Sequence, residues 1–335
     1  MVNLQSEFLE FHDNIKLSYS DNAELRQKRD ILLRKLKDNI SDEAATFSSF
    51  NQGSYAMHTG IKPDDGDYDI DVGLRFNIDH SDYSDPVAVK QWVFDALNGH
   101  TKKVEIRRSC VTVTYQEEGE DAYHIDFACY ADETDNLYIA KGKKNSSNEN
   151  RYWEESDPLG LIDKMKDRFS DEDECAQFRR IIRYMKKWRN KHFDLSGNNA
   201  PTGIALTALA YDKFSTKYET NVVTGKKTYD DFSALKSFVG KVKSSFELHY
   251  DVNDEKFYYT IQQNLFVLPY NDLFAKMTAK QQDAFYGKIC TLLSKLEEVE
   301  KQTKKSEACS ILTDIFGSDF PVKTERSYVG HSESA

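Results

Sequence analysis

Asp69 and Asp71, in the segment Asp69-Ile70-Asp71-Val72, have the spacing that metal chemistry asks for. Alternate side chains of an extended segment leave on opposite faces, so both carboxylates project together while Ile70 and Val72 turn to the core. Two like charges side by side repel, and fold stability alone seldom favours them. A divalent cation removes the repulsion, and a donor set made only of oxygens suits Mg²⁺ carrying phosphates. Asp126, in His124-Ile125-Asp126-Phe127-Ala128, is flanked by apolar residues and so belongs in or beside a packed sheet. On a strand next to the first pair it completes a cluster able to hold two ions, which stabilises both the attacking and the leaving oxygen of a phosphoryl displacement. On an edge strand it is simply a solvated acid. Upstream, the Gly53-Ser54 turn lets backbone N–H groups and a hydroxyl approach triphosphate oxygens closely. Asp67, following Gly66 at the strand entrance, stands at the same spacing from Asp69, so spacing alone leaves two acidic pairs.

These residues need a sheet and helices to hold them. Leu25, Ile31, Leu32, Leu36 and Ile40 recur near a 3.6-residue period, so the first 45 residues read as helical. After the turn-rich stretch 51–67 the period changes to two, and 69–76 is predicted as a strand. A helix follows over 86–98, then strands over 104–115 and 122–130 joined as a hairpin through the polar stretch 116–121. Residues 135–158 are polar and turn-rich and read as a loop or lid. Helices are expected over 159–169, 171–192, 202–217, 230–247 and 278–302, with a strand-like interruption at 256–262. On the 171–192 helix, Phe178, Ile181, Ile182, Met185 and Trp188 share an apolar sector. Arg179, Arg183 and Lys186 form a stripe beside it, which reads equally as a solvated helix face. Thr202 after Pro201 has the form of an N-cap. His58 and His124 have no partner at metal-ligand spacing, and His124 is expected to face solvent.

Composition sets the outer limits. With 335 residues, 45 Lys plus Arg and 56 Asp plus Glu, the chain has about two domains' length and a net charge of −11. A protein that coats duplex nucleic acid needs a cationic surplus, so stable duplex binding is not expected. No apolar run approaches the ~20 residues of a membrane span. Five cysteines without a CxxC spacing indicate free thiols in a reducing compartment, and an acidic N-terminus without an apolar core gives no signal peptide. A cytoplasmic protein is expected.

Gly53-Ser54, Asp69-Ile70-Asp71-Val72 and Ile125-Asp126-Phe127 together resemble the nucleotidyltransferases of the DNA-polymerase-β type. More specifically the chain looks like the bacterial cGAS/DncV-like enzymes, the CD-NTases. That closer likeness rests on Gln52-Gly53-Ser54-Tyr55, on Asp69 to Gly73, on Arg183-Tyr184-Met185-Lys186-Lys187-Trp188-Arg189 and on Pro201 to Thr207. The resemblance implies an α+β fold: a polymerase-β-like nucleotidyltransferase core with a mixed sheet, plus a mainly helical C-terminal domain. It divides the chain into a core with N-terminal helices (1–160), a helical domain closing the nucleotide pocket (161–323) and a flexible tail (324–335). It implies an enzyme that condenses NTPs, ATP and/or GTP, into a cyclic di- or trinucleotide with release of pyrophosphate, in anti-phage (CBASS) signalling. Two Mg²⁺ ions, or Mn²⁺, would sit on Asp69, Asp71 and Asp126, the last also serving as proton acceptor. Gly53, Ser54, Lys186 and Thr202 would bind the substrate. A cyclic-nucleotide-responsive effector would read the product, and the polar tail ending Glu333-Ser334-Ala335 permits conjugation to another protein. An RNA-extending nucleotidyltransferase and an inactive nucleotide-binding sensor are the alternatives.

Overall fold

Along the chain of the computed structural model run α1 (Gln5–Ile15), α2 (Tyr19–Asn39), β1 (Phe47–Asn51), α3 (Gly53–Ala56), β2 (Tyr68–Phe76), α4 (Pro86–Leu97), β3 (Lys103–Ile106), β4 (Val111–Glu117), β5 (Glu120–Asp132), β6 (Leu137–Lys141) and β7 (Tyr152–Ser156). There follow α5 (Pro158–Lys166), α6 (Glu172–His192), α7 (Gly203–Lys213), β8 (Tyr218–Thr220), β9 (Lys227–Tyr229), α8 (Asp231–Lys243), β10 (Glu247–Asp251), β11 (Lys256–Thr260), α9 (Ala279–Lys301) and α10 (Lys305–Phe316). The structure describes residues 2–17, 19–63, 68–101, 103–117, 120–134 and 136–322. Asp67 and the tail 324–335 lie outside the described residues. Two compact units result. One holds Lys16–Cys175 with Asn264–Asp272; the other holds α1, Ala176–Gln263 and the chain from Leu273 onward.

The first unit is organised by a mixed sheet in the order β1-β2-β5-β4-β3, extended by β6 on β5 and β7 on β6. Only the β2–β5 pair is parallel; the other pairs in this sheet run antiparallel. Alternation decides which face each residue takes. Ile70, Val72, Leu74 and Phe76 of β2 and Ile125, Phe127, Cys129 and Ala131 of β5 are at most 1% exposed. They pack in one cluster with Leu25, Leu32 and Leu36 of α2 and with Val89, Val93, Ala96 and Leu97 of α4. Burying each of the Ile, Val, Leu and Phe side chains contributes roughly 1.5–3 kcal/mol, which fixes the register and therefore the face left to the polar residues. Asp85 caps α4 by accepting from the Val87 N–H at 3.0 Å, with Pro86 in the first turn.

The α+β expectation and the hairpin ending in β5 are met. Two local expectations are corrected. The strand expected over 104–115 is two strands, because Arg107 N–H donates to Cys110 O at 2.9 Å and closes a turn between β3 and β4. The stretch 135–158 is not all loop: β6 and β7 pair through it from Leu137↔Ser156 to Lys141↔Tyr152, and Trp153 Nε1 donates to Tyr83 O at 2.7 Å.

In the other unit α6 presents the apolar sector expected of it, with Phe178, Ile181, Ile182, Met185 and Trp188 at most 2% exposed. Asp171 caps it, its Oδ1 accepting from the Asp173 and Glu174 N–H groups. Phe8 and Phe11 of α1 join Tyr184, Phe316 and Phe320 in an aromatic cluster with ring centroids 4.8–6.4 Å apart. Asp231, fully buried at the start of α8, accepts two hydrogen bonds from Arg180 and one each from Gln177 and Tyr184. That ion pair is held by complete hydrogen bonding, the condition under which a buried charge is tolerated.

Candidate active site

The parallel pairing of β2 with β5 sets Asp71 opposite Asp126 and Asp69 opposite His124. All four side chains leave the sheet on the face away from α2 and α4. One carboxylate oxygen from each of Asp69, Asp71 and Asp126 lies within 4.8 Å of the other two. Charges 4–5 Å apart interact by about 3–4 kcal/mol at an effective dielectric near 20, so the strand core holds these acids together against their repulsion. Asp69 is exposed, whereas Asp71 and Asp126 are half-buried, so the cluster opens on the Asp69 side. An all-carboxylate set fits Mg²⁺ or Mn²⁺ and fits softer, nitrogen- or sulfur-seeking metals poorly.

Each inner acid is held by a different element. Asp71 lies against the turn at Gly53, where φ is +65° and a Cβ would fall 1.8 Å from Asp71 Oδ2. The backbone joins the same contact, since Gln52 N–H donates to Asp71 O at 3.0 Å. Tyr130 then donates its hydroxyl to Gln52 Oε1 at 2.9 Å. Burial, with Asp71 nearby, pushes the Tyr130 phenol well above its ordinary pKa, so it remains a donor. Ser54 occupies the one-turn helix α3; its carbonyl accepts from Thr59 N–H at 2.9 Å, and its Oγ faces Gly60, 3.6 Å from where a Cβ would stand. Asp126 is held from β4: Thr112 Oγ1 donates to Oδ1 at 2.5 Å and Cys110 Sγ donates to Oδ2 at 3.3 Å. Burial, followed by Asp126, pushes the Cys110 thiol up, which keeps its proton in place. Sequence reasoning missed Thr112 and Cys110, because nothing local to either residue says which strand it will face.

His124 is corrected: it is half-buried on the carboxylate face beside Asp69, with Nε2 shielded from solvent. A second group with metal-ligand spacing, Asp79, His80 and Glu133, was also missed. It borders a cavity of about 680 Å³ beyond the carboxyl ends of β2 and β5. Glu133 there accepts from both His80 N–H and His80 Nδ1, and the imidazole stacks on Tyr138 at 4.1 Å, so hydrogen bonding and stacking account for the arrangement.

In the other unit, Lys186 and Thr202 come together at the start of α7. Thr202 is its N-cap, with Oγ1 accepting from Ala205 N–H at 3.2 Å. Lys186 is 6% exposed and runs past Gly203, its Cε 3.5 Å and Nζ 4.0 Å from where a Cβ would stand, with Arg189 Nη1 at 3.6 Å. The basic stripe is therefore not a solvated face at Lys186. A cation buried beside a helix N-terminus is an environment that favours a phosphate. Arg183 pairs its Nη1 with His12 Nε2 at 3.1 Å, and burial, with Arg179 next, lowers it to about 10, still charged at neutral pH.

The mixed sheet thus carries three converging carboxylates on its one parallel pair, with the Gly-Ser turn against one of them. The family described as "Cyclic GMP-AMP synthase DncV-like, nucleotidyltransferase domain" matches residues 48–130, which hold the turn and all three aspartates. A cyclic GMP-AMP synthase of Escherichia albertii is 28% identical over 167 residues, 47% of this chain and 35% of that protein. The chain thus matches about a third of the length of that curated relative. Two solved structures share the fold. Vibrio cholerae DncV cyclic AMP-GMP synthase, in complex with the linear intermediate 5′ pppA(3′,5′)pG, aligns at TM-score 0.67 and 17% identity over 92% of this chain and 93% of that one. The Bradyrhizobium diazoefficiens CD-NTase CdnG, in complex with GTP, aligns at 0.68 and 13% over 94% and 95%.

Proposed function

We propose that this chain is a cytoplasmic nucleotidyltransferase that condenses NTPs, ATP and/or GTP, into a cyclic di- or trinucleotide and releases pyrophosphate. The product would signal to a cyclic-nucleotide-responsive effector in anti-phage (CBASS) defence. The observation that carries this reading is the meeting of Asp69, Asp71 and Asp126 within 4.8 Å across the parallel β2–β5 pair. In the reaction a ribose hydroxyl oxygen of one nucleotide bonds to the α-phosphorus of another, and the bond from that phosphorus to pyrophosphate breaks. Asp69, Asp71 and Asp126 would hold two Mg²⁺ ions, which when bound lower the pKa of the attacking hydroxyl and neutralise charge on the phosphates. Asp126 takes up the hydroxyl proton. Gly53 lets backbone approach the phosphates, and Ser54 supplies a hydroxyl donor to them. Lys186, beside the capped N-terminus at Thr202, offers a cation to phosphate on its own unit. Most of the acceleration comes from such positioning and charge stabilisation. The relative from V. cholerae, bound to a linear intermediate, supports two successive transfers.

Incubation with labelled ATP, GTP, CTP and UTP plus Mg²⁺, followed by phosphatase and chromatography, tests the reading. A phosphatase-resistant product is expected, with loss of at least about 10³-fold in Asp69→Asn/Asp71→Asn. Products that lengthen only on added RNA would instead mark a polymer-extending enzyme, and absence of pyrophosphate release would mark a nucleotide sensor.

A further inference from the structure

Thr112 of β4 and Cys110, in the turn just before it, hold a carboxylate of the cluster but take no part in the proposed reaction. Thr112 is fully buried, and its register partner across the sheet is Asp126. Its hydroxyl carries one proton, directed to Asp126 Oδ1 at 2.5 Å, the short range of a hydroxyl bonded to a carboxylate. Cys110, two residues before it, gives its thiol proton to the other oxygen at 3.3 Å. A carboxylate on a single Cβ otherwise rotates over a broad torsional well. Two donors on two different oxygens remove that freedom and define the direction of the lone pairs that remain. Both donors are neutral. A Lys or Arg in either place would also orient the group, but it would cancel the negative charge that a cation needs.

We propose that Thr112, assisted by Cys110, is a positioning residue that presents the Asp126 carboxylate to the divalent cation shared with Asp69 and Asp71. The inference rests on the metal reading of that cluster. Hydrogen-bond partners of metal-ligating groups typically change metal affinity 10–100-fold when removed, so an effect of that size is expected here. Thr112→Val keeps the branched shape and replaces the hydroxyl by a methyl, which cannot donate to Asp126.

Mn²⁺ binding followed by electron paramagnetic resonance is the test, on wild type, Thr112→Val, Thr112→Ser, Asp126→Asn and the Thr112→Val/Asp126→Asn pair, with melting temperatures alongside. Thr112→Val should weaken Mn²⁺ about 10–100-fold, Thr112→Ser should stay within about 3-fold of wild type, and the double variant should bind no worse than Asp126→Asn. The Mg²⁺ concentration for half-maximal pyrophosphate release should rise with Thr112→Val while the NTP KM stays fixed. If Thr112→Val does not fold, Thr112→Ala against Thr112→Ser makes the same comparison. Weakening by Asp126→Asn without weakening by Thr112→Val overturns this inference and leaves the metal reading standing. Losses that add in the double variant also overturn it, because Thr112 would then act elsewhere. Unchanged Mn²⁺ binding in Asp126→Asn removes both.

Discussion

At φ +65° Gly53 occupies a backbone region that costs an L-residue about 1–2 kcal/mol, and the space its side chain would take is filled by Asp71. Gly53→Ala therefore does two separable things. It should lower stability by about 1–2 kcal/mol, read as a small drop in melting temperature. It should also displace the Asp71 carboxylate, since a Cβ 1.8 Å from Oδ2 is impossible without movement. A misplacement near 1 Å costs on the order of 10²-fold in rate, so pyrophosphate release should fall far more than the melting temperature suggests. Activity within about threefold of wild type would show that Asp71 does not need its present position. The three acids could be read from sequence because strand alternation is local, and Asp69 and Asp71 advertise a shared face by spacing alone. The contact of Gly53 with Asp71, and the grip of Thr112 on Asp126, depend on which strands become neighbours. Those are non-local facts that no short window of sequence contains.

The same distinction holds for whole elements. Helices with a sustained apolar period, such as α6 and α9, were visible because 3.6-residue recurrence over many turns is a strong signal. The break between β3 and β4 and the β6–β7 pair were not, because edge strands of four or five residues differ from loops chiefly in having a partner. Lys90 of α4 shows what holds those short pieces in place. It is fully buried, and its Nζ donates to Arg107 O at 3.1 Å, to Arg108 O at 3.0 Å and to Gly142 O. One cation thus ties the β3–β4 turn, from which Cys110 reaches Asp126, to the chain after β6. Burial lowers Lys90 to about 8. The unfolded chain holds this proton up to about 10.4, so between pH 8 and 10.4 the unfolded state binds more protons and stability rises with pH from this group. Lys90→Met should cost about 2–4 kcal/mol at pH 7, because buried carbonyls lose their donor. The gap to wild type should widen by pH 9.5, since wild type alone gains as Lys90 neutralises and keeps two N–H donors. Urea melts at the two pH values measure it, and a gap that narrows would contradict the lowered Lys90.

For the molecule as a whole, the net charge of −11 and the local cations around Lys186 together limit what can be a substrate. No helix among the described residues is long and apolar enough to cross a membrane. A protein gripping a polymer through 6–10 phosphates loses about 10³–10⁵-fold in affinity between 50 and 200 mM salt, because each contact releases a counterion. An NTP engages few contacts, and divalent ions neutralise much of its charge, so its binding should respond weakly to salt. The expected outcome is that pyrophosphate release from NTPs alone, with neither DNA nor RNA added, changes less than about tenfold in NTP KM between 50 and 200 mM KCl. In parallel, fluorescence anisotropy with a labelled 20-bp duplex should show no binding tighter than about 10⁻⁶ M at 150 mM salt. Tight duplex binding with a steep salt slope would mean that an acidic chain has concentrated its cations into a track, and the acceptor would then be a polymer. A flat salt response with full activity on free NTPs leaves the three acids facing a small nucleotide, whose phosphate charge the bound ions can match.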